Sequence, residues 1–125
     1  LVATSGKGRV AILTASRAAL GPRAMAAAGI DPARVVVMGC EDIPCFAESF
    51  LAPQAAQATR LDRECLEQAL VDKSQETLRD SPDIGAIVLE CGNLPPYARA
   101  IARATGRPVF HMLDAAALLM RAQGQ

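Results

Sequence analysis

IGAIVLECGNLPPYARAIARATGRPVF, residues 84–110, holds two strands and a helix in one stretch. Ile84 to Leu89 is a short aliphatic run, which reads as a strand buried on both faces. Glu90 to Leu94 is a loop. Pro95-Pro96 suits the first turn of a helix, Tyr97, Ile101 and Ala104 share one of its faces, and Gly106 closes it. Pro108 to Met112 is a further strand. A strand, a helix and a second strand in so few residues predict parallel strands joined by a crossover.

The same alternation extends in both directions. Arg9 to Thr14 (RVAILT) is a buried strand, and a helix follows from near Leu20–Pro22 to Gly29. Arg34 to Met38 (RVVVM) is a β-branched strand. Gly39 to Pro44 is a loop, and a short helix is expected over Cys45 to Leu51. The Ala- and Gln-rich stretch from Pro53 to Thr59 gives no clear pattern. Leu61 to Arg79 is the longest helix, with Leu66, Ala69, Leu70 and Leu78 on one face and Asp62, Arg63, Glu67, Lys73 and Glu76 free to stay wet. Ser81-Pro82-Asp83 ends it, and Leu113 to Ala122 is a last helix. The expectation is an α/β chain, a single three-layer flavodoxin-like domain over residues 1–125. It has a four-stranded parallel sheet with helices on both faces, and ligands at the carboxyl ends of its strands.

Composition narrows the function classes. The 125 residues are 51% hydrophobic, with no Trp, and 13 basic residues balance 13 acidic ones. No basic stripe points to nucleic acid and no apolar run approaches a membrane span, so neither is an expected partner. The four cysteines, Cys40, Cys45, Cys65 and Cys91, are irregularly spaced, and His111 is the only histidine. That spacing predicts neither a disulfide framework nor a zinc site, but a reduced, cytoplasmic protein. Cys40, Cys45 and Cys65 read as packing residues, and Glu41 and Asp42 as solvated loop charges. Ser5-Gly6-Lys7-Gly8 precedes a strand rather than a helix, so it reads as a leader and not a phosphate loop. Leu1 in place of Met suggests a piece of a longer protein.

Cys91 is the most informative candidate. It follows a buried strand and precedes a helix, where free N–H groups and the helix dipole favour thiolate. Asn93 can cap the helix or bond a ligand, and Gly92 lets backbone approach a ligand closely. Position alone leaves two readings open: a reactive thiol, or a structural cysteine in the core.

The segment ECGNLPPY, with the strand before it and TGRPVF after it, resembles the second-cysteine motif of the aspartate/glutamate/hydantoin racemase superfamily, Glu-Cys-Thr-Asn-Leu/Met-Pro-Pro-Tyr. RVAILTAS at Arg9 to Ser16, followed by AAAGID, resembles the opening of that family's second, C-terminal domain. The resemblance implies a cofactor-independent racemase or epimerase of an amino acid or hydantoin. In such an isomerase, two cysteines on opposite faces of Cα exchange its proton. Cys91 then matches the catalytic thiol of this domain. Thr14, Ser16, Gly92 and Asn93 match positions facing the substrate carboxylate, and Glu90 and His111 lie behind them. The implied partners are a small-molecule amino acid, hydantoin or related carboxylate, a first domain absent from this chain that carries the second cysteine, and a possible homo-oligomeric copy. No metal or other cofactor is implied.

The chain departs from the family in two places. Gly92 replaces the usual Thr, and His111 stands where this branch often has Asp. Cys40, Cys45 and Cys65 do not match the first-domain cysteine, although Cys40 lies near a strand end. Decarboxylation in the manner of arylmalonate decarboxylase, maleate isomerisation, and a non-catalytic ligand-binding domain are alternatives on the same scaffold.

Overall fold

A computed structural model describes residues 8–46 and 63–111. Four strands form one parallel sheet: β1 (Arg9–Thr14), β2 (Val35–Gly39), β3 (Ile84–Leu89) and β4 (Val109–His111). Their order is β2-β1-β3-β4. Val10 to Thr14 of β1 pair with Val35 to Gly39, and Val10 to Leu13 pair on the other side with Ala86 to Leu89. The chain therefore steps from β1 to one side, then returns past it to the other. That reversal, between β1 and β3, is where open α/β sheets form a ligand crevice at their carboxyl ends. The expected fold class, a four-stranded parallel sheet with helices in an α/β arrangement, is the one observed.

Strand periodicity assigns the two faces. Ala11, Leu13, Met38, Cys40, Ile87 and Leu89 join Leu66 and Leu70 of α3 (Arg63–Asp80) and Ile101 of α4 (Ala98–Thr105) in the larger core. Ile12 and Val35 point the other way, onto Met25 of α1 (Pro22–Ala27), with Val37 and Val88 against them. Right-handed crossovers require this division, because the connection after β1 and those after β2 and β3 run in opposite directions across the sheet. The amino ends of β1 and β3 are pinned by Arg9, whose guanidinium donates twice to Asp83 at 2.8 and 2.9 Å.

Most predicted elements recur with shifted ends. The first helix is α1, with a 3-10 turn at Arg17–Leu20 before it, and the Pro95-Pro96 helix splits into a 3-10 turn at Pro95–Tyr97 and α4. Gly106 closes α4 in the left-handed region, φ +67°. Of the short helix expected after Pro44, α2 (Pro44–Phe46) is described. The Pro53–Thr59 stretch and the Leu113–Ala122 helix lie outside the described residues.

The cysteine reading needs correction. Cys45 on α2 and Cys65 at the start of α3 form a disulfide, with Cα atoms 6.5 Å apart. The fold brings two positions separated by 20 residues within disulfide reach, which spacing alone does not reveal. Asp42, read as a solvated loop charge, accepts from Lys73 Nζ at 2.8 and 2.9 Å, and the Lys73 ammonium holds its carboxyl below the usual range. Lys73, expected to stay wet, is drawn onto the protein by that pair.

Candidate functional site

The carboxyl ends of β1, β2 and β3 converge through a short series of hydrogen bonds. Glu90 N–H donates to Leu13 O at 2.9 Å, and Cys40 N–H donates to Thr14 O at 2.9 Å. The Thr14 hydroxyl, 1% exposed, donates to Glu90 Oε2 at 2.7 Å. Cys91 follows directly, half-buried against the larger core. Leu94 N–H donates to Cys91 O at 3.1 Å, so residues 91–94 form a tight turn. Asn93 Nδ2 lies 3.7 Å from Cys91 Sγ, a weak N–H···S contact over the thiol. The space that a side chain on Gly92 would occupy is open, with nothing within 4 Å.

Cys91 and Cys40 are the free thiols, but their surroundings differ. Cys40 is 0% exposed. Burial pushes it up to about 12, with the Lys73 ammonium opposing, and Cys91, Glu41 and Asp42 reinforcing. Cys40 is thus a protonated thiol beneath the site. Cys91, just after β3, is partly exposed. With Cys45 and Cys65 paired, Cys91 is the thiol a ligand can reach.

The remaining candidates fall in several places. Ser16, extended at φ −145°, begins the 3-10 turn without capping it. Glu41 reaches back to accept from Arg17 N–H at 3.1 Å, and its carboxylate occupies the space that a side chain on Gly39 would need. His111 ends β4 opposite Leu89, half-buried and one strand away from the β1–β3 crevice. Tyr97 is buried under the turn, and its burial raises the phenol, with Arg63 opposing and Glu67 reinforcing. The α-helical winding of α4 begins only at Ala98, beyond the 3-10 turn, so its positive end is farther from Cys91 than the sequence predicts. Among the described residues no cluster of His, Cys, Asp or Glu is arranged to hold a metal, and no helix is long and apolar enough to cross a membrane.

The sequence carries little signal for two of these features. The Thr14–Glu90 bond joins residues 76 apart, and only strand order brings them together. Gly39 before Glu41 hints at a side chain folding back over the strand end.

Comparison with known proteins shows what the chain is similar to. A dimethylsulfoniopropionate lyase from Durusdinium sp. clade D is 34% identical over 119 residues, covering 91% of this chain and 38% of the relative. Two from Emiliania huxleyi (strain CCMP1516), dimethylsulfoniopropionate lyases 7 and 3, are 35% and 36% identical over 88 residues. These cover 66% of this chain and 24% and 21% of the relatives. The relatives are lyases. The expectation of an amino-acid racemase, and of an isomerase built on a cysteine pair, is corrected accordingly. The arylmalonate decarboxylase and maleate isomerase alternatives are likewise unsupported. The chain spans 38% or less of the length of these three lyases. No family model matches the chain, and no solved structure matches it.

Proposed function

We propose that this chain supplies the Cys91 side of a lyase active site that cleaves dimethylsulfoniopropionate or a closely related sulfonio carboxylate. The observation that carries the reading is the 34% identity to the Durusdinium lyase over 91% of the chain.

The chemistry suits such a site. The substrate carries a carboxylate at one end and a sulfonium at the other. A base removes a proton from the carbon next to the carboxylate. That C–H pair becomes a C=C bond, and the C–S bond breaks with its electrons leaving on sulfur. Dimethyl sulfide departs neutral, and an unsaturated carboxylate remains. The leaving group needs no proton, so a single base suffices. Inverting a carbon instead needs an acid and a base on opposite faces. One reachable thiol therefore fits elimination without a partner cysteine from Cys40, which is buried.

In this reading Cys91 takes the proton. Asn93, against the sulfur, keeps it oriented. The open backbone at Gly92 lets the turn approach the substrate carboxylate, whose charge grows toward an enolate as the proton leaves, and hydrogen bonds there stabilise it. The Ser16 hydroxyl, not engaged in capping, is a second candidate donor. The test is direct. The whole protein, given dimethylsulfoniopropionate, releases dimethyl sulfide measurable in the headspace above the no-protein rate. Release at the background rate across the pH range in which the protein is folded would overturn the proposal.

A further inference from the structure

We infer that Thr14 and Glu90 form a latch between β1 and β3 that positions Cys91, which makes both of them positioning residues for the reaction at that thiol. The inference rests on the proposed role of Cys91 as the base.

Three observations support it. The first is where the latch lies. Leu89 and Cys91 belong to the core shared with α3 and α4, whereas Val88 faces the α1 side. Along β1, Leu13 faces α3 and α4, and Ile12 faces α1. Strand alternation then places Thr14 and Glu90 on the α1 side and Cys91 on the other. The latch pair acts on the thiol through backbone, from behind.

The second is the redundancy of the attachment. Glu90 is tied to β1 by its own N–H on Leu13 O, at 2.9 Å, and by its carboxylate on the Thr14 hydroxyl, at 2.7 Å. Thr14 O also accepts from Cys40 N–H, so the same residue joins β2. The backbone at Cys91 is held from its amino side by these bonds and from its carboxyl side by the Leu94 turn.

The third is burial. Thr14 is almost wholly buried, and its hydroxyl is satisfied by Glu90, whose side chain is exposed. A valine of the same shape would pack, and the Glu90 carboxylate would turn to water, which frees the residue before Cys91 from β1's side chain. Such a bond, at the switch point of the sheet and adjacent in sequence to the thiol, has a clear use: a base must be held about 3 Å from the atom whose proton it takes, and a shift of about 1 Å is costly.

The test compares Thr14→Val, Thr14→Ser, Glu90→Ala and Glu90→Gln in the whole protein. It has two readouts: steady-state release of dimethyl sulfide from dimethylsulfoniopropionate, and the rate at which iodoacetamide alkylates Cys91, followed by peptide mass spectrometry. Thr14→Val and Glu90→Ala are expected to lower kcat about tenfold while KM stays within about twofold. They should also speed alkylation, because the half-buried thiol loosens. Thr14→Ser keeps the hydroxyl and Glu90→Gln keeps an acceptor oxygen, so both should restore most of kcat and the slow alkylation. The latch is refuted if Thr14→Val matches the wild type in both readouts, if Thr14→Ser is as impaired as Thr14→Val, or if Glu90→Gln is as impaired as Glu90→Ala. Wild-type protein that releases no dimethyl sulfide would refute the proposed reaction, while the alkylation rates would still decide the latch.

Discussion

Replacing Cys45 and Cys65 together by alanine removes the covalent tie between α2 and the start of α3. The disulfide closes a loop of 20 residues. In the chain-entropy account, a loop of that size restricts the unfolded chain by about 3 kcal/mol. For a chain of 125 residues that corresponds to a fall of about 10 °C in Tm. The native side of the balance adds little, because Cys65 is exposed and Cys45 only half-buried. Urea unfolding, monitored by far-ultraviolet circular dichroism, should show a lower midpoint for the double variant and for wild type in reductant, and the two should agree. Thiol titration of the protein purified without reductant and unfolded in guanidinium should find two free thiols, Cys40 and Cys91. Four titrating thiols, or a midpoint that moves by less than about 0.5 kcal/mol equivalent, would refute the reasoning.

Other consequences are separable from that one. Leu70→Ala, at a 0% exposed position in the larger core, should cost about 2–5 kcal/mol in urea unfolding. Gly8→Ala should destabilise strongly, since Gly8 has φ +107° and a side chain there meets the Asp83 carbonyl, while Gly92→Ala, in open space, should leave urea stability nearly unchanged. Asp42 has a lowered pKa, so its pairing with Lys73 contributes above the ordinary carboxylate range and is lost as pH falls through the folded value. The stability gap between wild type and Asp42→Asn should therefore close below about pH 4. Cys40 is raised from 9.0 to about 12, so the stability linked to its buried neutral form is complete below pH 9 and is lost as pH rises toward 12. Cys40→Ala should flatten that alkaline decline in urea midpoints.

The sheet was legible because its strands are short β-branched or aliphatic runs set off by Gly, Pro and Asp. Ile84–Leu89 was located to the residue. The strand order β2-β1-β3-β4 was not legible, because the crossover rule fixes the hand of each connection and not which strands are neighbours. Most of the features that escaped are tertiary. The Cys45–Cys65 bond depends on how α2 packs beside α3, and Thr14–Glu90 depends on β1 and β3 being neighbours. Ser74, buried at 0% exposure in the face of α3, is tolerated because its hydroxyl donates to Leu70 O at 2.7 Å, a local bond that hydrophobic patterning does not register.

The position of Cys91 was legible, but not a reaction. ECGNLPPY marked Cys91 as a thiol at a strand end, and the structure places it beside the β1–β3 crevice. Removing a proton next to a carboxylate is a first step common to inversion and to β-elimination. What separates them is the second carbon's substituent and the need for an acid on the opposite face, and neither is written in this segment. The helix-dipole argument also weakened, because the Pro95–Tyr97 turn winds as 3-10 before α4 begins.

The most direct measurement is the rate of dimethyl sulfide release by wild type and by Cys91→Ala in the whole protein, with matching urea midpoints to show that both are folded. The account predicts that wild type turns over dimethylsulfoniopropionate, and that Cys91→Ala loses at least about a thousandfold in kcat, as expected when the proton-accepting group is removed. A Cys91→Ala variant within tenfold of wild type would contradict it.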